Sequence, residues 1–355
     1  MMKKTLMNNI LDELNADAIL LHSPQNRYWF SRFHSSLGYI LYTKTKSYLF
    51  VDGRYITAAR NSKLLVNIDE IVEFGKLYEL INEQIANNNI KTVVYESDWV
   101  FVKDSQIFEK NLKAEIKPYN FEAIRMVKDE WEIEQVRKAC DITHKVFLEV
   151  LDFVKPSMTE KELARFVSDS FLKNGAEKLS FDTIVASGTN GSMPHAVPTD
   201  KKIEVGDFVT LDMGCYYNGY CSDQTRTFVM GNTDNEKIKE IYEIVYQSQQ
   251  LGIESIKPGI KGNEVHKICF DYIESKGYGQ YFTHGTGHGL GIEIHEEPYN
   301  SAAGDKTLQE GMCVTVEPGI YIPGVGGVRI EDDILVTKDG YEFLTTPFRE
   351  LQIVK

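Results

Sequence analysis

The last two-thirds of the chain repeats itself, and this repeat limits the possible folds more than any other feature. Lys155-Pro156 recurs as Lys257-Pro258, Glu162 as Glu264 and Gly175 as Gly277, each 102 residues on. In the first copy, Ile133, Val136, Cys140, Phe147, Val150, Leu151 and Val154 mark one face of a helix that starts near Asp129 and stops before Pro156. Thr159-Glu160-Lys161-Glu162 then reads as a capping box opening a second helix, which Gly175 ends. In the second copy one helix follows Asp234 and a shorter one spans about 263–276. Each helix pair precedes a strand-rich stretch. There, 209–214 (Val-Thr-Leu-Asp-Met-Gly) matches 314–319 (Val-Thr-Val-Glu-Pro-Gly) at an offset of 105, and Asp223 matches Glu331 at 108. Loop insertions account for the drift. The expectation is a duplicated helix–helix–sheet unit.

The first third has a different texture. Short apolar runs at 18–22 and 92–95, a hairpin pattern at 39–42 and 48–51 around Thr43-Lys44-Thr45-Lys46, and helical spacing at 77–85 and 102–112 describe a small α/β domain. The expected organisation is α+β overall, with an N-terminal domain over 1–123, a catalytic domain over 124–355 and a junction near 122–127.

Composition excludes several function classes. The formal charge is 39 − 52 = −13, which disfavours nucleic acid. Five cysteines form no Cys-x-x-Cys pair, so neither a disulfide framework nor a thiolate zinc site is indicated. With no apolar run of about 18 residues and no leader-like start, the reading is a cytoplasmic protein that does not span a membrane.

The chemistry lies in the matched carboxylates. Asn218-Gly219 is a two-residue hairpin signal, and a turn centred there makes Asp212 and Asp223 diagonal neighbours on one face, roughly 7–8 Å apart. In the second copy, a loop centred on Gly324 sets Glu317 opposite Glu331. Packed about a pseudo-two-fold axis, the halves bring four carboxylates together. Such a cluster needs cations, and two divalent ions balance it. Oxygen donors with one imidazole favour manganese, with iron or cobalt by availability, in a co-catalytic pair that ionises water. The segment 283–295 supplies three histidines, His284, His288 and His295, with His288 chosen as the nitrogen ligand; His195 lies in the first copy. The other histidines are suited to polarising a carbonyl or moving protons.

These motifs are similar to those of a known family. LDMG with Asp212, SDQTRT with Asp223, HGTGHG with His288, VEPGIY with Glu317 and VRIED with Glu331 resemble the pita-bread metallopeptidases, a family that includes aminopeptidase P, prolidase and methionine aminopeptidase. The region containing Phe50-Val-Asp-Gly-Arg-Tyr55 resembles the creatinase-type N-terminal domain of the first two. The resemblance implies a dinuclear site of Asp212, Asp223, His288, Glu317 and Glu331, with Asp223 and Glu331 bridging; zinc is a further candidate ion. It implies that Glu317 serves as acid and base for an attacking hydroxide. It places His195 and His295 on the substrate, His284 near the leaving group, and Tyr321 with Arg329 as a supporting pair. The implied reaction cleaves the bond between a first residue and a following proline, in a homodimer. No Arg follows His295-Glu-Glu-Pro298 to grip a dipeptide carboxylate, and the next basic residue is Lys306. That tilts the reading toward aminopeptidase P, with a dipeptide-restricted prolidase as the alternative. A creatinase-like hydrolase and a non-enzymatic peptide-binding protein stand further off.

Taken singly, these residues have plainer readings. Asp332 and Asp333 suggest that Glu331 sits on a solvated acidic edge. The glycines around His284 and His288 suit a flexible loop. Cys215 and Cys221 read as small packing residues.

Overall fold

A computed structural model describes residues 2–348 and 350–355. The chain divides into two compact units, Met1–Arg125 and Met126–Lys355.

The first unit is a six-stranded sheet with helices. Its central strand, Ala18–Leu21, is wholly buried. That strand pairs antiparallel with Tyr39–Thr43 and parallel with Thr92–Glu96. The hairpin forms as its pattern suggests, with Tyr42 opposite Ser47. Leu20, Leu41, Phe50, Ile81, Val93 and Phe108 fill the core. Two strands were not legible in the sequence: Glu70–Glu73 and Glu115–Tyr119. Both are edge strands. Neither strand buries any residue fully, so charged residues and Pro118 are tolerated and no alternation marks them.

The second unit carries the repeat. Helix Glu130–Phe153 opens with Asp129 and Glu132 in a reciprocal cap, and helix Glu160–Lys173 opens with Thr159 and Glu162 in another. Helices Glu236–Ser255 and Gly262–Ser275 repeat the pair. Each pair covers its own sheet. Val146, Phe147, Val150, Leu163 and Phe171 pack on Val185, Val209, Leu211 and Phe228. Ile241, Val245, Val265 and Ile273 pack with Val314, Val316, Ile334 and Val336. The topology repeats too. Ile184–Ser187, Phe208–Met213 and Gln224–Met230 are successive neighbours in one sheet, as Gly287–Gly289, Cys313–Val316 and Asp332–Val336 are in the other. No helix among the described residues is long and apolar enough to cross a membrane.

Register places the site. Asn218 and Gly219 both take positive φ, 44° and 73°, as a type I′ turn requires, and Tyr217 faces Tyr220. The same register runs on into the longer ladder, where Asp212 faces Thr225 and Asp223 is therefore its diagonal neighbour. In the second half, Gly319 faces Arg329 and Val316 faces Asp332. Those two ladders share one register, and Glu317 and Glu331 fall opposite each other in the gap between them.

The glycines beside His288 are not a flexible loop. They form the short strand Gly287–Gly289, wedged between neighbours on both sides. A Cβ on Gly287 would lie 2.0 Å from the Thr315 carbonyl oxygen, and one on Gly289 would lie 2.5 Å from that of Glu297. Both clashes are with backbone, which cannot step aside. Gly287→Ala is therefore expected to cost about 1–3 kcal/mol and to shift His288 off the cluster. Thermal unfolding together with metal content checks this; an unchanged melting temperature with full metal content would contradict it.

Candidate metal centre

The two acidic pairs converge across the halves. Ligand atoms of Asp223, His288 and Glu331 lie within 4.8 Å of one another, and all three residues are buried. His288 Nε2 stands 3.3 Å from Glu317 Oε1 and 3.7 Å from Asp223 Oδ2. Its Nδ1 lies 3.0 Å from the Gly289 carbonyl oxygen. An N–H donated there leaves the Nε2 lone pair facing the carboxylates, the usual way a protein orients an imidazole ligand. Asp212 receives Arg329 Nη2 at 2.7 Å. Glu331 receives the Thr225 hydroxyl at 2.6 Å, and Glu317 receives that of Thr315 at 3.2 Å.

Electrostatics show what the cluster lacks. Burial, then Glu331 and Asp212, pushes Asp223 well above the usual carboxylate range. Burial, then Glu317 and Asp212, does the same to Glu331. Burial also raises Asp212, against the pull of Arg329. Burial would raise Glu317 as well, but the hydrogen bond and charge of His288 prevail and hold it at about 2. His288 is correspondingly raised: burial opposes its charge, and Glu317 outweighs burial. A positive charge at Nε2, whether proton or metal ion, meets the same need.

The donor set fits a metal. Asp212 Oδ1, Asp223 Oδ1 and Glu331 Oε1 are buried without a hydrogen-bond partner. Buried carboxylate oxygens are seldom left bare, because each forfeits its solvation. Here they belong to three of the residues expected to bind metal, beside an imidazole nitrogen.

A relay runs outward from this floor. Arg329 Nη1 donates to Tyr321 Oη at 2.9 Å, and Tyr321 Oη stands 2.8 Å from His284 Nε2. His284 Nδ1 is 2.7 Å from the Gly285 carbonyl oxygen. Burial holds the His284 pKa low, which suits a neutral ring whose Nε2 accepts a hydrogen bond from the Tyr321 hydroxyl. Arg329 also donates from Nε to Thr225 Oγ1 at 3.0 Å and from Nη1 to the Pro194 carbonyl at 3.2 Å.

The carboxylates Asp212, Asp223 and Glu317 line a cleft of about 470 Å³, with His195, His284, His288, His295 and Arg329 beside them. Phe181, Ile294, Val197 and Tyr299 supply apolar walls. The His295 ring lies edge-on to His288 at 4.4 Å, and partial burial followed by His288 lowers its pKa. Glu331 and Tyr321 sit behind the lining, reached through Thr225 and Arg329.

Two neighbouring residues overturn their sequence reading. Asp332 and Asp333 are not a solvated edge; they are 2% and 0% exposed. Asp332 pairs with Arg226 at 2.5 Å, and Asp333 Oδ2 accepts the Asp223 amide at 2.9 Å and the Cys140 thiol at 3.2 Å. Sequence reasoning also passed over Thr225, although its place in SDQTRT, two residues after Asp223, was a usable signal. All five cysteines are free and buried.

Comparison with known proteins shows the family of the chain and its fold. Residues 134–338 match metallopeptidase family M24, and residues 6–127 match the creatinase/prolidase N-terminal domain. The chain is 41% identical over 341 residues to a putative Xaa-Pro aminopeptidase of Mycoplasma genitalium, covering 95% of this chain and 94% of that one. It is 40% identical over 346 residues to the Xaa-Pro dipeptidase of Pyrococcus furiosus, covering 96% and 97%. The solved structure of an Xaa-Pro dipeptidase from Bacillus anthracis superposes with a TM-score of 0.94 at 41% identity, covering 99% of each chain.

Proposed function

Since the chain belongs to metallopeptidase family M24, we propose that it hydrolyses the peptide bond between a first residue and a following proline. The observation that carries this reading is the set of bare carboxylate oxygens on Asp212, Asp223 and Glu331 at and just behind the wall of an apolar-sided cleft, with Asp223, His288 and Glu331 within ligand reach of one another. Asp212, Asp223, His288, Glu317 and Glu331 would hold two divalent ions, with manganese the first choice for such oxygen-rich donors. When bound, the ions supply a water ionised near neutral pH and polarise the scissile carbonyl.

The chain's own groups do the rest. Glu317, kept anionic by His288, takes a proton from the attacking water and returns it to the proline nitrogen as the C–N bond breaks. His195 and His295, on the cleft wall, hydrogen-bond the carbonyl oxygen as it gains charge. Tyr321 keeps His284 in one tautomer beside the leaving group. Arg329 fixes Asp212 and Tyr321 together.

Relatives named dipeptidase favour Xaa-Pro dipeptides as substrates. One observation favours longer peptides. Among the described residues lining the cleft, Arg329 is the only Lys or Arg, and its guanidinium is already engaged by Asp212, Tyr321, Thr225 and Pro194. No free cation remains there for a dipeptide's terminal carboxylate.

The test strips metal from the purified protein, restores manganese, and compares an Xaa-Pro dipeptide, an Xaa-Pro-Yaa tripeptide and an Xaa-Ala-Yaa control. Cleavage that needs both proline and restored metal is the expected result. The tripeptide-to-dipeptide ratio then separates the two specificities. Failure on every proline peptide, with two ions bound, would overturn the substrate assignment and leave the metal centre standing.

A further inference from the structure

Glu160 is the first residue of helix Glu160–Lys173, between the capping pair Thr159 and Glu162. The cap explains its neighbours. It does not explain why the carboxylate between them is 0% exposed. Five neutral donors satisfy it. Oε1 accepts the Ser187 amide and hydroxyl, both at 2.8 Å. Oε2 accepts the Thr199 amide at 3.0 Å and its hydroxyl at 2.7 Å. Asn190 Nδ2 lies 3.1 Å from both oxygens.

The segment between these anchors is irregular. It comprises a short 3-10 turn at Gly188–Ser192 and a turn in which the Ala196 amide bonds the Met193 carbonyl at 3.2 Å. His195 sits in that second turn, on the cleft wall. Among the described residues no strand ladder runs through the segment itself, although its first anchor, Ser187, ends a strand paired with Val209 and receives Lys201 Nζ at 2.9 Å on its hydroxyl. Arg329 pins it once, through the Pro194 carbonyl. Both of its ends close on one carboxylate, one oxygen for each end.

We infer that Glu160 is the positioning residue for His195, fixing where the imidazole stands above the metal centre by clamping Ser187 and Thr199 together. The inference rests on the role proposed for His195. A carboxylate suits the task because both oxygens accept. Glutamine keeps the shape but presents an NH2 group to N–H and O–H donors at one end, so one side of the clamp must open. Displacing a reacting group by about 1 Å costs on the order of a hundredfold in rate.

The experiment is a double-mutant cycle on the manganese-loaded full chain, read alongside hydrogen exchange. Glu160→Gln is expected to lower kcat/KM by about ten- to a hundredfold, with metal content unchanged. In a His195→Ala background the same change is expected to cost less than about threefold, because nothing is left to position. Thr199→Val, which removes one hydroxyl donor and leaves the fold at little risk, should show a smaller loss that also vanishes in that background. Exchange should quicken at the Ser187 and Thr199 amides and stay slow at His288. An equal loss in both backgrounds would mean a purely structural role and overturn the inference, as would a His195→Ala enzyme of full activity. Unchanged exchange in Glu160→Gln would overturn it whatever the substrate proves to be, so a wrong substrate and a wrong clamp give different results.

Discussion

Asp223→Ala is expected to lower kcat/KM by at least about a thousandfold and to leave the protein unable to keep its full complement of metal. Asp223 sits where the two halves meet, within ligand reach of both His288 and Glu331. Its Oδ1 has no other partner to return to. The stability of the variant gives the result its meaning. In the metal-free protein Asp223 is a buried carboxylate surrounded by like charge, raised by burial and then by Glu331 and Asp212. Removing it relieves repulsion, so the metal-free variant should unfold no earlier than the metal-free parent. What should disappear is the extra stability that added manganese is expected to confer on the parent by binding only the folded state. Metal analysis, kinetics and thermal unfolding with and without manganese test all three points. A variant that binds two ions and keeps full activity would refute the site.

Asp332→Ala should cost about 3–5 kcal/mol, the usual penalty for orphaning a buried charge. Asp332 and Arg226 are 2.5 Å apart with side chains 3% and 4% exposed. Gln249 Nε2 and the Thr345 hydroxyl also donate to Asp332, at 2.8 and 2.7 Å. Arg226 in turn donates to the carbonyls of Thr225, Glu331 and Thr346. The pair thus ties strand Gln224–Met230, next to Asp223, to strand Asp332–Val336, next to Glu331. Without Asp332 the guanidinium remains buried with carbonyls alone. Replacing both partners, as in Arg226→Met with Asp332→Leu, should be less damaging than the single change, since no charge is left stranded. The comparison belongs on chelated protein, by calorimetry, so that metal binding does not mask the difference. A single-variant cost below about 1 kcal/mol would show that the ion pair does not hold the halves as described.

Much of the site was legible because turns set register and register sets faces. Asn218-Gly219 and the loop around Gly324 were enough to place both acidic pairs, since each strand's side chains alternate. Periodicity and caps located the repeated helices for the same local reason. The features missed are long-range. Asp332 looked like a surface residue because Arg226, the group that makes its burial tolerable, lies 106 positions away. Glu160 looked like part of a cap because a cap is visible within four residues, whereas Ser187 and Thr199 are 27 and 39 positions on. The edge strands of the first unit were missed because neither buries a residue fully, so no buried face imposes an alternation. Local chemistry can be read along the chain, but compensation between distant charges cannot.

The division of the proposed ligands between two copies of one unit also has a consequence for the order of events during synthesis. Asp212 and Asp223 emerge first, as a pair of like charges; His288, Glu317 and Glu331 follow only with the second copy. A nascent first half therefore has neither the imidazole nor the partner carboxylates needed to retain an ion tightly. On the proposed ligand set, the growing polypeptide should stay catalytically silent until its two halves close on each other, and a cut that separates them should dismantle the centre even with all five residues intact.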